Sequence, residues 1–285
     1  MHGRVSIGLL KIEPPLVNGS GVIDAVSLDE DWNLPDAVLG KLGAFTTKTV
    51  TSSPRHGNPQ PWADSIGPGM LANAAGLPNP GIDAALRDWA VLPARLGIPI
   101  IFSIGGSADE LPELAAHVSA AGWASAIELN LSCPNVDGGL VAAHPTDVAE
   151  VVSRVRARTS LPLIAKLTPA CGAIAAVARA AADNGADALT CINTMPIRAL
   201  APGTGHPLLG AGPDGGMSGT GLHPIALRAV AEARAAVVIP IIGLGGVDSI
   251  DAARRMRDAG ATIIGLGTGL LFDPGLIDTL RTAQM

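Results

Sequence analysis

The sequence is poor in several residue types, and each shortage narrows the reading. Cysteine occurs three times, at Cys133, Cys171 and Cys191. The number is odd and no CxxC pair exists, so neither a disulfide framework nor a cysteine-rich metal site is indicated, and a reducing cytoplasm is the expected setting. No uncharged apolar run approaches the roughly 18 residues that cross a bilayer, and the apolar stretch within MHGRVSIGLLKIEPP is too short for a secretory signal. Basic residues number 19 against 25 acidic ones, a net charge of −6. That balance argues against a surface built to neutralise phosphate backbones, so neither nucleic acid nor membrane is an expected partner. His56, His117, His144, His206 and His223 show no paired metal-ligand spacing, and no metal is expected.

Tyrosine is absent, and lysine is confined to Lys11, Lys41, Lys48 and Lys166. Solvated surface positions are the usual fate of lysine. Lys48 and Lys166 fit that fate poorly, because they end the apolar runs AFTTKTV and LPLIAKLTP.

What the chain has is apolar content, 48% of 285 residues, enough for a large core in one domain spanning 1–285. Eight short apolar runs recur: 16–21, 44–50, 98–106, 126–134, 161–169, 186–194, 237–246 and 261–269. Between them, alanine-rich stretches such as 109–121, 145–158, 172–184, 223–236 and 248–259 repeat their apolar residues at helical spacing. The strand runs are continuous rather than alternating, as expected where helices cover a parallel sheet. Eight β-then-α units without a composition break predict an α/β fold, a single (β/α)8 TIM barrel, over an open doubly wound sheet. Two Gly/Pro-rich connections, about 51–80 and 195–222, follow strand ends on the face where barrel sites are built, and read as lids or substrate loops.

Ser20, Lys48, Ser103, Asn130, Lys166 and Asn193 each close a strand run, so a barrel points them at one mouth. Any one of them alone could be a satisfied core polar group. The last two strands end in GLGGV at 243–247 and GLGTG at 265–269, each before a helix. Glycines there can simply make tight turns, but a pair after strands seven and eight matches the usual barrel phosphate site. GLGGV lacks the third glycine of a dinucleotide fingerprint. Cys133, in ELNLSCPN, sits just past a strand among Asn130, Ser132 and Asn135. A buried structural thiol is the default; these polar neighbours favour one used as an acid or base. Cys171 and Cys191 read as structural.

The runs TKTVTSSPRHGNPQP (47–61), NAAGLPNPG (73–81), ELNLSCPN (128–135), KLTP (166–169), INT (192–194), GGMSG (215–219) and IPIIGLGG (239–246) resemble the class 1 dihydroorotate dehydrogenases, with KLTP, INT and GGMSG leaning toward the NAD-linked subclass. The resemblance covers about 12–275 and implies FMN as cofactor and oxidation of dihydroorotate to orotate in pyrimidine synthesis. It assigns Cys133 as the base at C5 of the substrate and Lys166 as the cation beside the flavin's pyrimidine end. Ser20, Gly21, Lys48, Thr49, Ser103, Asn130, Ile192 and Gly219 would contact the flavin, and Gly245, Gly246, Gly267 and Thr268 its phosphate. Lys48, Asn73, Gly76, Leu77, Asn130, Asn135, Asn193 and Thr194 would hold the substrate, short amides suiting a ring edge that alternates N–H and C=O. His223 stands where the family carries a lysine before proline, and Trp62 where an arginine is usual.

The subclass resemblance also implies a homodimer and, for electron transfer to NAD, a partner subunit with FAD and an iron–sulfur cluster. The three cysteines here offer no cluster set of their own. Two other readings stay open: an FMN oxidoreductase of another dihydropyrimidine or cyclic enone, and a non-catalytic FMN-binding subunit.

Overall fold

A computed structural model describes residues 3–22, 34–131, 134–135, 139–140 and 144–283. An antiparallel hairpin, β1 (Val5–Ile7) and β2 (Leu10–Ile12), precedes β3 (Leu16–Asn18), α1 (Asp36–Leu39) and β4 (Phe45–Thr46). The first long connection folds into β5 (Ala63–Gly67) and β6 (Met70–Asn73); α2 (Ile82–Asp88) and α3 (Leu92–Leu96) then lead to β7 (Ile100–Ile104). Next come α4 (Glu110–Ala121), β8 (Ala126–Asn130), the short pair β9 (Pro134–Asn135) and β10 (Gly139–Leu140), α5 (Pro145–Arg156), β11 (Leu163–Leu167), α6 (Ile174–Asp183) and β12 (Ala188–Cys191). The second long connection carries β13 (Met195–Arg198) and β14 (Asp214–Gly219). The chain closes with α7 (His223–Ala236), β15 (Ile241–Leu244), α8 (Ile250–Asp258), β16 (Ile263–Leu266), α9 (Thr268–Phe272) and α10 (Leu276–Thr282).

Eight strands form one parallel sheet in the order β3-β16-β15-β12-β11-β8-β7-β4, and a parallel bridge from Val17 to Ala44 joins its two ends. The sheet is therefore a (β/α)8 barrel, and each strand lies in one of the eight apolar runs. The five helical stretches also fold as helices, each within two residues of its expected start and end. Local chemistry sets those ends. The Ser249 side chain accepts a hydrogen bond from the Ala252 N–H at 3.2 Å and caps α8, whose last turn carries Arg255 and Arg257 against the helix dipole. Ser107 and Glu110 exchange a capping box ahead of α4, with Ser107 N–H donating to Glu110 Oε2 at 2.8 Å and Glu110 N–H to Ser107 Oγ at 3.3 Å.

The core is double. One apolar set lies between sheet and helices, and a second fills the lower barrel. The second takes one residue from each strand or its edge, namely Val17, Ala44, Ile101, Ala126, Ile164, Ala188, Ile242 and Ile263, and adds Ile7, Leu10 and Ile12 from the hairpin. The β1–β2 hairpin thus plugs the N-terminal end. Ile12 has no exposed surface, so Ile12→Ala is expected to cost about 2–5 kcal/mol through lost burial and a cavity. Chemical denaturation checks this, and a loss under about 1 kcal/mol would mean that the hairpin does not hold the barrel closed.

The two long connections meet. β13, β14, β6 and β5 pair in that order as a four-stranded antiparallel sheet over a small core of Ala72, Ala199 and Leu209. Single-chain periodicity did not anticipate this, because the pairing joins segments more than a hundred residues apart. The sheet stands on the rim formed by the strand C-termini, where β12 runs into β13 through Thr194. Among the described residues, no helix is long and apolar enough to cross a membrane.

Candidate functional site

Side chains in a strand alternate with period two, so the residues two beyond the lower apolar layer share its face. Ile101 is followed by Ser103, Ala126 by Glu128 and Asn130, Ile164 by Lys166, and Ala188 by Thr190. The barrel interior therefore changes from apolar to polar one step below the mouth. Ser103, Glu128, Asn130, Lys166 and Thr190 are all buried there.

These side chains form a connected set. Glu128 accepts from Ser103 Oγ at 3.2 Å through Oε1 and from Thr190 Oγ1 at 3.0 Å through Oε2. Lys166 Nζ lies 3.8 Å from Glu128 Oε1 and donates to Ser20 Oγ at 2.7 Å. Thr49 Oγ1 and Ser103 Oγ are 2.9 Å apart, and Asn130 Nδ2 donates to Thr49 Oγ1 at 3.2 Å. Asn193 Nδ2 reaches Asn130 Oδ1 at 3.3 Å, and Thr194 N–H donates to Asn193 Oδ1 at 2.8 Å. Lys11, by contrast, is exposed, and Lys41 makes a surface pair with Asp278 at 2.6 Å of the kind that adds little stability.

Lys48 and Thr49 owe their position to a bulge. Thr47 N–H bonds Ile101 O at 3.0 Å and Val50 N–H bonds Ser103 O at 2.9 Å, so three steps on this strand match two on β7. β4 is accordingly shorter than its apolar run. The Thr47 hydroxyl accepts from Ser103 N–H at 3.0 Å and replaces part of the lost ladder.

The capping sheet brings in the next group. Asn73 Nδ2 donates to Gly216 O at 3.1 Å, and Gly216 packs against Thr194, which links Asn73 to the Asn193–Asn130 pair. Gly76 and Leu77 form a turn in which both residues have positive φ, 73° and 55°, Leu77 being the one such non-glycine among the described residues. Asn79, 2% exposed, holds that strained turn: its Nδ2 donates to Leu77 O at 2.8 Å and its Oδ1 accepts from Gly81 N–H at 2.9 Å. The loop before it is tied down by Glu110, whose carboxyl is held below its usual range first by the Ser52 hydroxyl and then by the Ser107 N–H.

A second corner lies at the ends of β14, β15 and β16. Gly219 and Gly246 both have positive φ, 93° and 66°, and a Cβ on Gly246 would sit 2.7 Å from Gly219 O and 2.8 Å from the His223 Cβ. Only glycine fits there. Gly245 packs on Ala226, Gly267 precedes α9, and Thr268 Oγ1 donates to Ser218 Oγ at 2.8 Å. A cavity of about 280 Å³ opens beside this corner, lined by Gly219, Gly246, Val247, Asp248, Gly269 and Asp273 among others. His223 is 7% exposed; its Nδ1 bonds Gly245 O at 2.9 Å, and its Nε2 is buried without a partner among the described residues. With Nδ1–H donating to the carbonyl, Nε2 is an acceptor when the ring is neutral and a donor when it is charged.

The expected residues thus fall in two connected groups. Ser20, Thr49, Ser103, Asn130, Lys166, Asn193, Thr194 and Asn73 belong to the mouth and its cap, and Lys48 lies in the bulge just before Thr49. Gly219, Gly245, Gly246, Gly267 and Thr268 belong to the glycine corner. Gly21, φ 73°, follows Ser20, and Ile192 is buried at the end of β12, its N–H bonding Leu244 O at 2.8 Å. Cys133 lies outside the described residues, and Asn135 is described for its backbone alone. The other two cysteines fit structural roles: burial pushes the Cys191 thiol up to about 12 and raises that of Cys171.

Sequence reading missed Glu128, Thr190 and Asn79. The signal for Glu128 was present, since it is a carboxylate inside the buried run AIELN, two residues before Asn130 and therefore on its face.

The dihydroorotate dehydrogenase family profile matches residues 4–279. A protein of Desulforudis audaxviator, the catalytic subunit of a dihydroorotate dehydrogenase B (NAD(+)), is 40% identical over 274 residues, 95% of this chain and 87% of the relative. The proteins of the same description from Geobacillus sp. (strain WCH70) and Bacillus thuringiensis are 40% and 38% identical, over 83% and 85% of this chain and 76% and 79% of the relatives. With the match running over the barrel, the polar mouth and the glycine corner, this chain belongs to the dihydroorotate dehydrogenase family.

Proposed function

We propose that the chain oxidises (S)-dihydroorotate to orotate, with FMN as the cofactor, in de novo pyrimidine synthesis. The observation that carries this reading is the buried Lys166, which presents a cation at the barrel mouth within a set of short amides and hydroxyls. The glycine corner fits a flavin phosphate: it leaves room where side chains would intrude, and His223 Nε2 beside it, buried without a partner among the described residues, would donate to an anion from the charged ring.

When bound, FMN supplies the two-electron acceptor for hydride from C6 of the substrate. Cys133 takes the C5 proton, its thiolate being the working form. Lys166 would supply positive charge to the flavin, whose electron density rises on reduction. Ser20 accepts from the ammonium of Lys166 at 2.7 Å, and Gly21, Thr49, Ser103, Asn130 and Ile192 would help to hold the flavin. Asn73, Asn130, Asn135, Asn193 and Thr194 read the alternating donors and acceptors of the pyrimidine, with Gly76 and Leu77 offering backbone groups. Lys48, carried out by its bulge, meets the carboxylate.

The relatives are catalytic subunits of NAD(+)-dependent enzymes. On this reading the chain works as a homodimer in the cytoplasm and passes electrons to NAD through a partner subunit carrying FAD and an iron–sulfur cluster.

Anaerobic mixing of the FMN-loaded protein with dihydroorotate tests the reading. Bleaching near about 450 nm, the signature of an oxidised flavin accepting hydride, is expected. A well-occupied flavin that keeps its absorbance would reject dihydroorotate as the substrate. The glycine corner is tested separately by Gly246→Ala. A Cβ there is strained and displaces Gly219 or His223, a cost of about 1–3 kcal/mol that weakens FMN binding about tenfold or more. Equilibrium fluorescence titration of apoprotein with FMN reads it, and unchanged affinity would move the phosphate elsewhere.

A further inference from the structure

We infer that Glu128 is a positioning residue that sets the charge balance around the flavin through Lys166, and so tunes the reduction potential of the bound cofactor. The inference rests on the flavin reading above. Three observations carry it. Glu128 is 3% exposed and stands directly above Ala126 in the apolar layer of the barrel interior, a place where a carboxylate loses its hydration. Both of its oxygens are nonetheless bonded, Oε1 by the Ser103 hydroxyl of the adjacent β7 at 3.2 Å and Oε2 by the Thr190 hydroxyl of β12, two strands away on the other side, at 3.0 Å. The oxygen held by Ser103 also faces Lys166 Nζ at 3.8 Å, and both side chains of that ion pair are 4% exposed. Every other ion pair among the described residues has side chains at least 28% exposed.

A buried ion pair is weak evidence for stability, because apolar side chains of similar volume often serve the fold as well. Its placement is informative for another reason. Lys166 is held from two sides, by Ser20 above and Glu128 below, so its ammonium has a fixed height in the mouth. At 3.8 Å in a buried setting, the Glu128 carboxylate offsets part of the cation's field at the mouth. Reduction adds negative charge to the flavin, and a lysine without its carboxylate would favour that added charge more strongly. Glu128 therefore holds the potential down, which keeps the reduced flavin able to pass its electrons onward.

The test is Glu128→Gln, whose amide oxygen still accepts from a hydroxyl, compared with the native FMN-loaded protein. Flavin content is measured first: native protein that retains no FMN defeats the flavin reading itself, independently of Glu128. With FMN bound in both, the midpoint potential is measured by equilibration with a reference dye. The variant is expected to favour reduced flavin at least tenfold more than the native protein, an upward shift of about 30 mV for two electrons. A merely structural role would lower thermal stability and leave the potential where it is, and a potential within about 10 mV of native overturns the inference. Should the glutamine variant not fold, Glu128→Asp, which keeps the charge but withdraws it from Lys166, is expected to shift the potential in the same direction by less. An aspartate variant at the native potential overturns the inference equally.

Discussion

Replacing Cys133 with alanine is expected to slow reduction of the bound flavin by dihydroorotate about 10²–10⁴-fold, the usual contribution of a positioned acid or base. The segment that carries it leaves β8 directly after Asn130, whose amide is already tied to Thr49 and Asn193 at the mouth. Neither remaining thiol can take over. Cys191 is fully buried in β12 with its thiol pushed up to about 12, and Cys171 precedes α6 on the flank of the barrel, its thiol also raised by burial. Rapid-mixing absorbance on FMN-loaded protein separates this step from any later electron transfer. The alanine variant should hold FMN normally, because no part of the glycine corner is touched. Cys133→Ser retains a hydroxyl with a much higher pKa, so its reduction rate should fall less than that of alanine and climb with pH over a wider range. A native reduction rate in the alanine variant would remove Cys133 from the chemistry.

Lys166→Met is expected to cost the fold about 3–5 kcal/mol and the reductive step at least a hundredfold, for two separable reasons. The stability loss comes from Glu128, left buried with both hydroxyl partners and no cation. The rate loss comes from the missing positive charge at the flavin. A double variant, Lys166→Met with Glu128→Gln, tells the two apart: stability returns to within about 1 kcal/mol of native, because no uncompensated charge remains, while the rate stays low. Urea denaturation supplies the first quantity and rapid mixing the second. If the double variant is as unstable as the single one, the ion pair is not what the fold depends on at this position.

The sequence by itself determined where the eight strands and the main helices lie, because each barrel strand is a short apolar run and each helix repeats its alanines and valines at helical spacing. It also determined the glycine corner. GLGGV and GLGTG contain backbone conformations and close approaches that only glycine permits, and a residue type so constrained is readable without its neighbours. The convergence of Lys166, Asn130 and Asn193 followed as well, since a parallel barrel sends every strand's C-terminus to one face.

Only the tertiary structure decided the rest. Closure of the ring rests on the parallel bridge from Val17 to Ala44, the bond from Gly43 N–H to Leu16 O and the Asn18 amide, which bonds both backbone groups of Thr46 at 2.7 Å, contacts that no local pattern encodes. The pairing of β6 with β14 joins two connections that each look irregular alone, and strand register is a property of the pair. The bulge that delivers Lys48 and Thr49 depends on hydroxyls bonding to β7 across the sheet. Glu128 is the sharpest case. Period two puts Glu128 on the face of Asn130, so its side of β8 is legible once Asn130 is read as a mouth residue. With both faces of the strand buried, apolar alternation adds nothing to that, and that the carboxylate stands within 3.8 Å of Lys166 and between the Ser103 and Thr190 hydroxyls is fixed only when the barrel closes.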